Sequence, residues 1–423
     1  MECGKSELQY DEPKLYQTDI EDDYFQILTP KNSLTPGNPI YFDIEGTTDF
    51  LDLSQSQLKL KLVMTKADDS AITDQMVAGP VNNVLHSLFS QIQVSLKDTI
   101  ISHSNSMYPH RAYIENLLNY SKGAKETWME GMGWSDDEYG KFDHAGNIGI
   151  TNRRKYLLDK KKAEYKGRLH IDIGLQEKLL PSNLDVRITL TQSKIDFFTL
   201  NHLNPAADLK IALEDVSLWI RRVKLSPAKQ ISFEKEIAQA PINIPISYVA
   251  MKNITIASTV SSFNQDGVFT GPLPSRIILG LVQNEAFAGS KVLNPFNFKH
   301  YKVVSIGLRV NGKNLPTRHL QPDFEKGHVI DCYQTLFHAL NRQFDNYDNA
   351  IDIPQYQNGS ALYAFNLTPD QCPGAHPLQT GSVDITIRFA DALRESVSLI
   401  VYSQFENNVF IDQHRNCFTN VHN

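Results

Sequence analysis

Two stretches decide the reading of this chain: Gln91–Ile101, QIQVSLKDTII, and Ser305–Pro316, SIGLRVNGKNLP. In each, an alternating apolar–polar run meets a two-residue break, Lys97-Asp98 or Asn311-Gly312, and resumes as a second run. Alternation with period two marks a half-buried strand. Asn-Gly between two such runs marks a tight hairpin, because both residues tolerate the positive φ of a type I′ turn. Each hairpin precedes a helix-compatible segment, beginning near His110 and near Asp331.

The same order of elements continues on both sides. Leu169–Ile173 with Val186–Leu190 matches Ala361–Leu367 with Val383–Phe389, and Val216–Leu225 matches Val397–Phe410. Further strands are expected at Leu58–Leu62, Ile242–Ile256, Arg276–Val282 and Val303–Val310, and helices at Tyr113–Leu118, Leu336–Phe344 and Ala228–Gln239. An order that repeats at an offset of roughly 200 residues is an internal duplication. The fold class is therefore all-β, two tandem eight-stranded jelly-roll barrels with a few short helices in the connections. Boundaries follow: an N-terminal arm at 1–35, a first jelly roll at 36–226 with a long loop at 120–165, a linker at 227–240, a second jelly roll at 241–412, and a tail at 413–423.

Composition supports a packed protein without staples. Hydrophobic residues make up 41% and charged residues 21% of 423, so buried cores rather than disorder are expected. The cysteines Cys3, Cys332, Cys372 and Cys417 form no CxxC pair, which points to free thiols in a reducing interior. No apolar leader and no membrane-length apolar run occurs, so the N-x-S/T triplets at Asn119, Asn253, Asn358 and Asn366 read as chance. A net charge of −7 argues against sequence-specific nucleic-acid binding. The basic run Arg153-Arg154-Lys155 with Lys160-Lys161-Lys162 lies close to Asp136-Asp137-Glu138 and reads as a solvated, self-compensating loop; a polyphosphate contact or nuclear-import signal is the alternative.

Constellations for chemistry are missing. A jelly-roll metalloenzyme needs two His two residues apart plus a carboxylate, and no HxH occurs among the 13 histidines. His170, between Leu169 and Ile171, is expected on a surface or interface; His300, His319, His328 and His338 lack ligand spacing. No P-loop, GxSxG, HExxH or dinucleotide fingerprint is present, and Gly131–Trp134 lacks the flanking strand and helix of a phosphate cradle. The carboxylate pairs Asp136/Asp137 and Asp345/Asp348 sit in polar loops, where solvated charge is expected. No cofactor, metal or catalytic residue is assigned, and the chain is not read as an enzyme. Aromatic residues in the long loops are the remaining signal. Trp128, Trp134, Tyr139 and Phe142, with Phe296, Phe298 and Tyr301, are expected to meet a partner, the alternative being packing back onto their own barrel.

Several long stretches carry a family resemblance. GPVNNVLHSLFSQIQVSL (Gly79–Leu96), MYPHRAYIENLL (Met107–Leu118), GRLHIDIGLQEKLLPSNLDVRITL (Gly167–Leu190) and LNPFNFKHY (Leu293–Tyr301) resemble the hexon-like major capsid proteins of Polinton/Maverick elements and adintovirus-like viruses. LQPDFEKG (Leu320–Gly327) and VYSQFENNVFIDQHRN (Val401–Asn416) are similar to the same group, so the resemblance spans about residues 20 to 416, and LYAFNLTPD (Leu362–Asp370) resembles the end of the second barrel in large double-jelly-roll DNA viruses. It implies a homotrimer whose six barrels form a pseudo-hexameric capsomer in an icosahedral virion capsid. Partners would be neighbouring capsomers, penton and minor capsid proteins; membrane contact is left open. Loop 120–165 and parts of 258–300 and 315–360 would be crown or trimer-locking loops. The competing readings are a tandem jelly-roll glycan-binding or glycan-processing protein, and a minor vertex or cement protein.

Overall fold

The computed structural model describes residues 17–102, 105–344, 346, 348–368 and 379–419; Cys3, Cys372 and Asp345 lie outside the described residues. Strands of the first half are β1 (Ile20–Leu28), β2 (Ile40–Ile44), β3 (Phe50–Lys66), β4 (Ala78–Pro80), β5 (Phe89–Leu96), β6 (Thr99–Ser102), β7 (Ala163–Gly167), β8 (Val186–Gln192), β9 (Thr199–Asn201) and β10 (Leu209–Leu225). The second half holds β11 (Ile242–Ile256), β12 (Ser262–Pro272), β13 (Arg276–Gln283), β14 (Val303–Val310), β15 (Lys313–Leu320), β16 (Leu362–Asn366), β17 (Thr380–Phe389), β18 (Val397–Ile411) and β19 (Cys417–Thr419).

The first half builds two four-stranded sheets, β1-β10-β3-β7 and β2-β8-β5-β6; the second builds β11-β18-β13-β16 and β12-β17-β14-β15. Set aside the short β4–β9 pair, and β19 where it extends β18. Counted along each half, the order is then strand 1-8-3-6 facing 2-7-4-5 both times. All these pairings are antiparallel. Two sheets with this Greek-key order are a jelly roll. The duplication is thus a duplication of topology, strand by strand.

Alternation explains the cores. Along β3, Leu58, Leu60, Leu62 and Met64 are buried, while Lys59 and Lys61 face out and pair with Glu164 of β7. Each buried leucine stabilises the fold by about 1.5–3 kcal/mol, so a one-residue slip that turned this face to water would be prohibitive. The hairpins form as their residues dictate: Lys97 takes φ 51°, and Asn311 and Gly312 take 51° and 79°.

Four expectations need correction. Residues 20–28, assigned to an arm, form the first strand of the first barrel, paired along β10 from Ile20–Leu225 to Leu28–Leu218. Their acidic start hides the pattern, and the partner lies far along the chain. Leu169–Ile173 is no strand: it runs into a 3-10 turn at Asp172–Gly174, and the matching strand is β7 just before it. All five of these residues are buried, so the alternation separates two kinds of interior rather than interior from water. The helix expected at Leu336–Phe344 lies earlier, at Ile330–His338. Strand β12 is absent from the sequence reading because a register shift between Gln265 and Phe269, with Gly267 at φ 58°, breaks its alternation.

The linker is the helix Pro227–Gln239, capped by Ser226, whose side chain accepts from the Lys229 amide. It packs on the first barrel through Phe233, edge-on to Phe50 at 4.9 Å. The tail after β18 returns to the first barrel as well. Lys97 Nζ donates to Asn416 Oδ1 at 2.8 Å, Thr99 Oγ1 to the Cys417 carbonyl at 3.0 Å, and Arg415 pairs with Glu234 and the Ser182 carbonyl. The described C-terminal segment therefore ties one barrel to the other.

Candidate functional site

The seam between the barrels is built on the helix Tyr108–Asn119, which follows the first hairpin and is buried from Tyr108 to Leu118. A helix buried all round must satisfy its charges internally. Arg111 and Glu115, one turn apart, pair at 3.0 Å, and Arg111 also pairs with Asp172 at 2.7 Å. His170 Nδ1 bonds the other Glu115 oxygen. The second barrel completes the cluster: Tyr402 Oη donates to Glu115 Oε1 at 3.2 Å, and the Val249 amide donates to Asp172 Oδ1 at 3.2 Å. His86 stands edge-on to His170 at 4.7 Å and bonds Tyr108 Oη at 2.8 Å.

Burial alone would raise the Glu115 carboxyl, but the Arg111 guanidinium and His170 outweigh it and hold it at about 2. Asp172 moves the other way: burial pushes it up, and Arg111 offsets only part of that. His86 is driven well below its ordinary value, by burial first and by the neighbouring His170 second. His170, expected on a surface or interface, is buried away from solvent and partnered at the seam between the two barrels.

Beside this ionic cluster lies an aromatic one. Phe296 of the second barrel stacks on Tyr113 with ring centroids 4.3 Å apart and planes 2° apart, and Trp134 stacks on the same Tyr113 at 5.3 Å. Phe298 is 6.2 Å from Tyr113, and His110 packs edge-on to Phe296 while bonding the Pro295 carbonyl. Phe142 lies against Gly359, where φ is 143° and an added Cβ would collide with the ring. Trp134, Phe142, Phe296 and Phe298 are all fully buried. Within this chain they pack where the two barrels meet. Tyr301 is half-buried and donates to Glu395 at 2.9 Å. Trp128 and Tyr139 alone of the seven are exposed, at 54% and 51%.

The acidic and basic runs of loop 120–165 also lock the seam. Asp137 pairs with Arg153 at 2.7 Å and accepts from Asn294 Nδ2 of the second barrel at 3.1 Å. Asp143 receives the Asn294 amide and Asn297 Nδ2, both at 2.7 Å. Lys125 Nζ caps the carbonyls of Leu117 and Asn349 at 2.7 and 2.6 Å, and burial lowers it to about 8. The self-compensation expected of this loop is present for Asp137 and Arg153; the solvation is not, since both are buried. The i,i+4 pair Arg111/Glu115 inside an apolar helix was the available signal for this site, since charges there need buried partners.

Among the described residues no group of three His, Cys, Asp or Glu is placed to hold a metal ion, and no helix is long and apolar enough to cross a membrane.

No protein-family profile matches the chain. An uncharacterised protein of Caenorhabditis elegans is 24% identical over 374 residues, covering 84% of this chain and 85% of its own length. A chain of the Sputnik virophage superposes with a TM-score of 0.66 at 9% identity, covering 100% of this chain and 92% of that one. The mavirus major capsid protein superposes at 0.54 with 11% identity, covering 97% and 92%. The chain has the double jelly-roll fold of viral major capsid proteins.

Proposed function

We propose that this chain is a major capsid protein, forming homotrimeric, pseudo-hexameric capsomers that tile an icosahedral virion shell. One observation carries the reading: two barrels of identical strand order are locked side by side by a buried seam. Three such rigid pairs supply six similar blocks around a threefold axis, which a single barrel or a hinged pair would not. Similarity of fold to the mavirus major capsid protein supports the capsid role, and the stretches that resemble Polinton/Maverick and adintovirus-like capsid proteins support that kind of element as its source. Neighbouring capsomers, penton and minor capsid proteins are the partners of this reading, and its work is assembly rather than catalysis.

A closed trimer needs two different complementary patches on each subunit. One is proposed on β1, an end strand of its sheet, where Phe25 and Ile27 are exposed beside Trp219 of β10, 6.5 Å from Phe25. Covering an exposed Phe or Ile is worth about 1.5–3 kcal/mol each, so evolution has little reason to leave both in water. Tyr139 is proposed as a contact on the long loop.

Light scattering of the full chain tests this. The expected mass is three times 47.9 kDa, and F25D/I27D should return the protein to the monomer with its circular dichroism unchanged. A wild-type protein that stays monomeric at micromolar concentration refutes the proposal.

A further inference from the structure

Loop 120–165 carries an open cleft of about 1000 Å³, bounded by the 128–131 turn, residues 155–156 and the 161–165 segment. Two aromatic faces stand at it, Trp128 and Tyr156, exposed by 54% and 42%. Both are held in place. Tyr120 braces Trp128 edge-on at 5.2 Å. The Tyr156 hydroxyl donates to Glu130 at 2.5 Å, and the Lys155 ammonium lies 4.7 Å from the Tyr156 ring centre. Rigid, exposed rings are poor fillers of a core and good platforms for a ligand.

The charges of the cleft are unequally spent. Glu130 is engaged by Tyr156 and Lys155, Glu164 by Lys59 and Lys61, and Lys162 by Glu214 at 2.6 Å. Lys161 is exposed and has no ion-pair partner among the described residues. Tyr165, in the wall of the cleft, is 4% exposed, and its hydroxyl makes no hydrogen bond. In a chain of net charge −7, this leaves a local positive excess with an unspent buried donor behind it.

We propose that the cleft binds an acidic oligosaccharide, a sugar bearing carboxylate or sulfate, with Trp128 stacked against the ring and Lys161 meeting the anion. Sugars present one apolar ring face and an edge of hydroxyls, which matches an aromatic plate flanked by ammonium, carboxylate and hydroxyl groups. The proposal goes beyond the capsid reading and does not depend on it, because a monomer would present the same cleft.

Fluorescence anisotropy with a fluorescein-labelled heparin-derived tetrasaccharide, at physiological salt and on the full chain, tests it. Saturable binding is expected, at least tenfold weaker in W128A and at least fivefold weaker in K161A, with K235A, a lysine exposed elsewhere, unchanged. Unlabelled 3′-sialyllactose should compete if carboxylate serves and fail if sulfate is required; either result keeps the proposal, whereas competition by neutral maltotetraose overturns it. No binding at millimolar tetrasaccharide also overturns it, as does binding that W128A leaves untouched, since that is diffuse attraction to lysines. Light scattering of W128A separates the remaining case: a mass below that of wild type makes the cleft a subunit contact. A monomeric wild type that still binds the tetrasaccharide would refute the capsomer and leave this proposal standing.

Discussion

Replacing Glu115 by glutamine keeps the shape of the side chain and removes the charge on which the seam is centred. In the native cluster one Glu115 oxygen accepts from Arg111 and Tyr402 while the other meets His170. The amide oxygen can still accept from Arg111 and Tyr402 while its NH2 faces His170, but the negative charge is gone, and Arg111 keeps Asp172 as its single anion. Breaking a buried ion pair by removing one partner costs about 3–5 kcal/mol. A second route gives a similar size. A carboxyl held at about 2 instead of 4.5 represents about 3 kcal/mol of folding free energy at ~1.4 kcal/mol per pH unit. The sign is fixed by the direction: the folded-state value lies below the unfolded one, so this stability is complete above pH 4.5 and is lost as pH falls toward 2. Asp172 works in opposition, since burial raises it and its protonation on acidification returns part of the loss. Urea unfolding followed by tryptophan fluorescence should therefore show E115Q weaker than wild type by about 3–5 kcal/mol at pH 7. The gap should narrow by pH 3. A loss under about 1 kcal/mol at pH 7, the size of an ordinary exposed pair, would refute the view that this cluster holds the barrels together.

Three further outcomes are expected. G359A should lower stability by about 1–3 kcal/mol in thermal melts, because its Cβ meets the Phe142 ring and its φ of 143° disfavours any side chain. Burial holds His110 neutral, at about 4; the unfolded chain takes up this proton first, so the His110 contribution to stability is full above pH 7 and is lost between about pH 6.5 and 4. H110F should reduce the slope in that window, part of which His86 also supplies, and an unchanged slope would exclude His110 as a source. Burial pushes the Cys332 and Cys417 thiols up to about 12, so peptide mapping after alkylation at pH 8 should find both unmodified in the native protein and both modified in urea.

Much of the architecture is local physics and was legible residue by residue. Ile242–Ile256 and Val303–Val310 match their strands to the residue, because burial on one face imposes period two on the side chains. Asn311-Gly312 announces its own turn through the φ values it tolerates. The repeated order of these signals is sufficient for two barrels. What lay beyond reach has one cause: its partners are distant in sequence. β1 is identified as a strand by β10, and nothing near residue 20 shows it. His170 and Asp172 alternate with apolar neighbours as surface residues do, yet they face Arg111 and Glu115 inside the seam. Phe296 and Trp134 look like aromatics awaiting a partner, and Tyr113 supplies it within the chain. The sequence by itself determined two barrels and their turns, since those follow from spacing along the chain. The tertiary structure decided that they form one rigid block, because a buried charge or ring is explained only by the group brought against it.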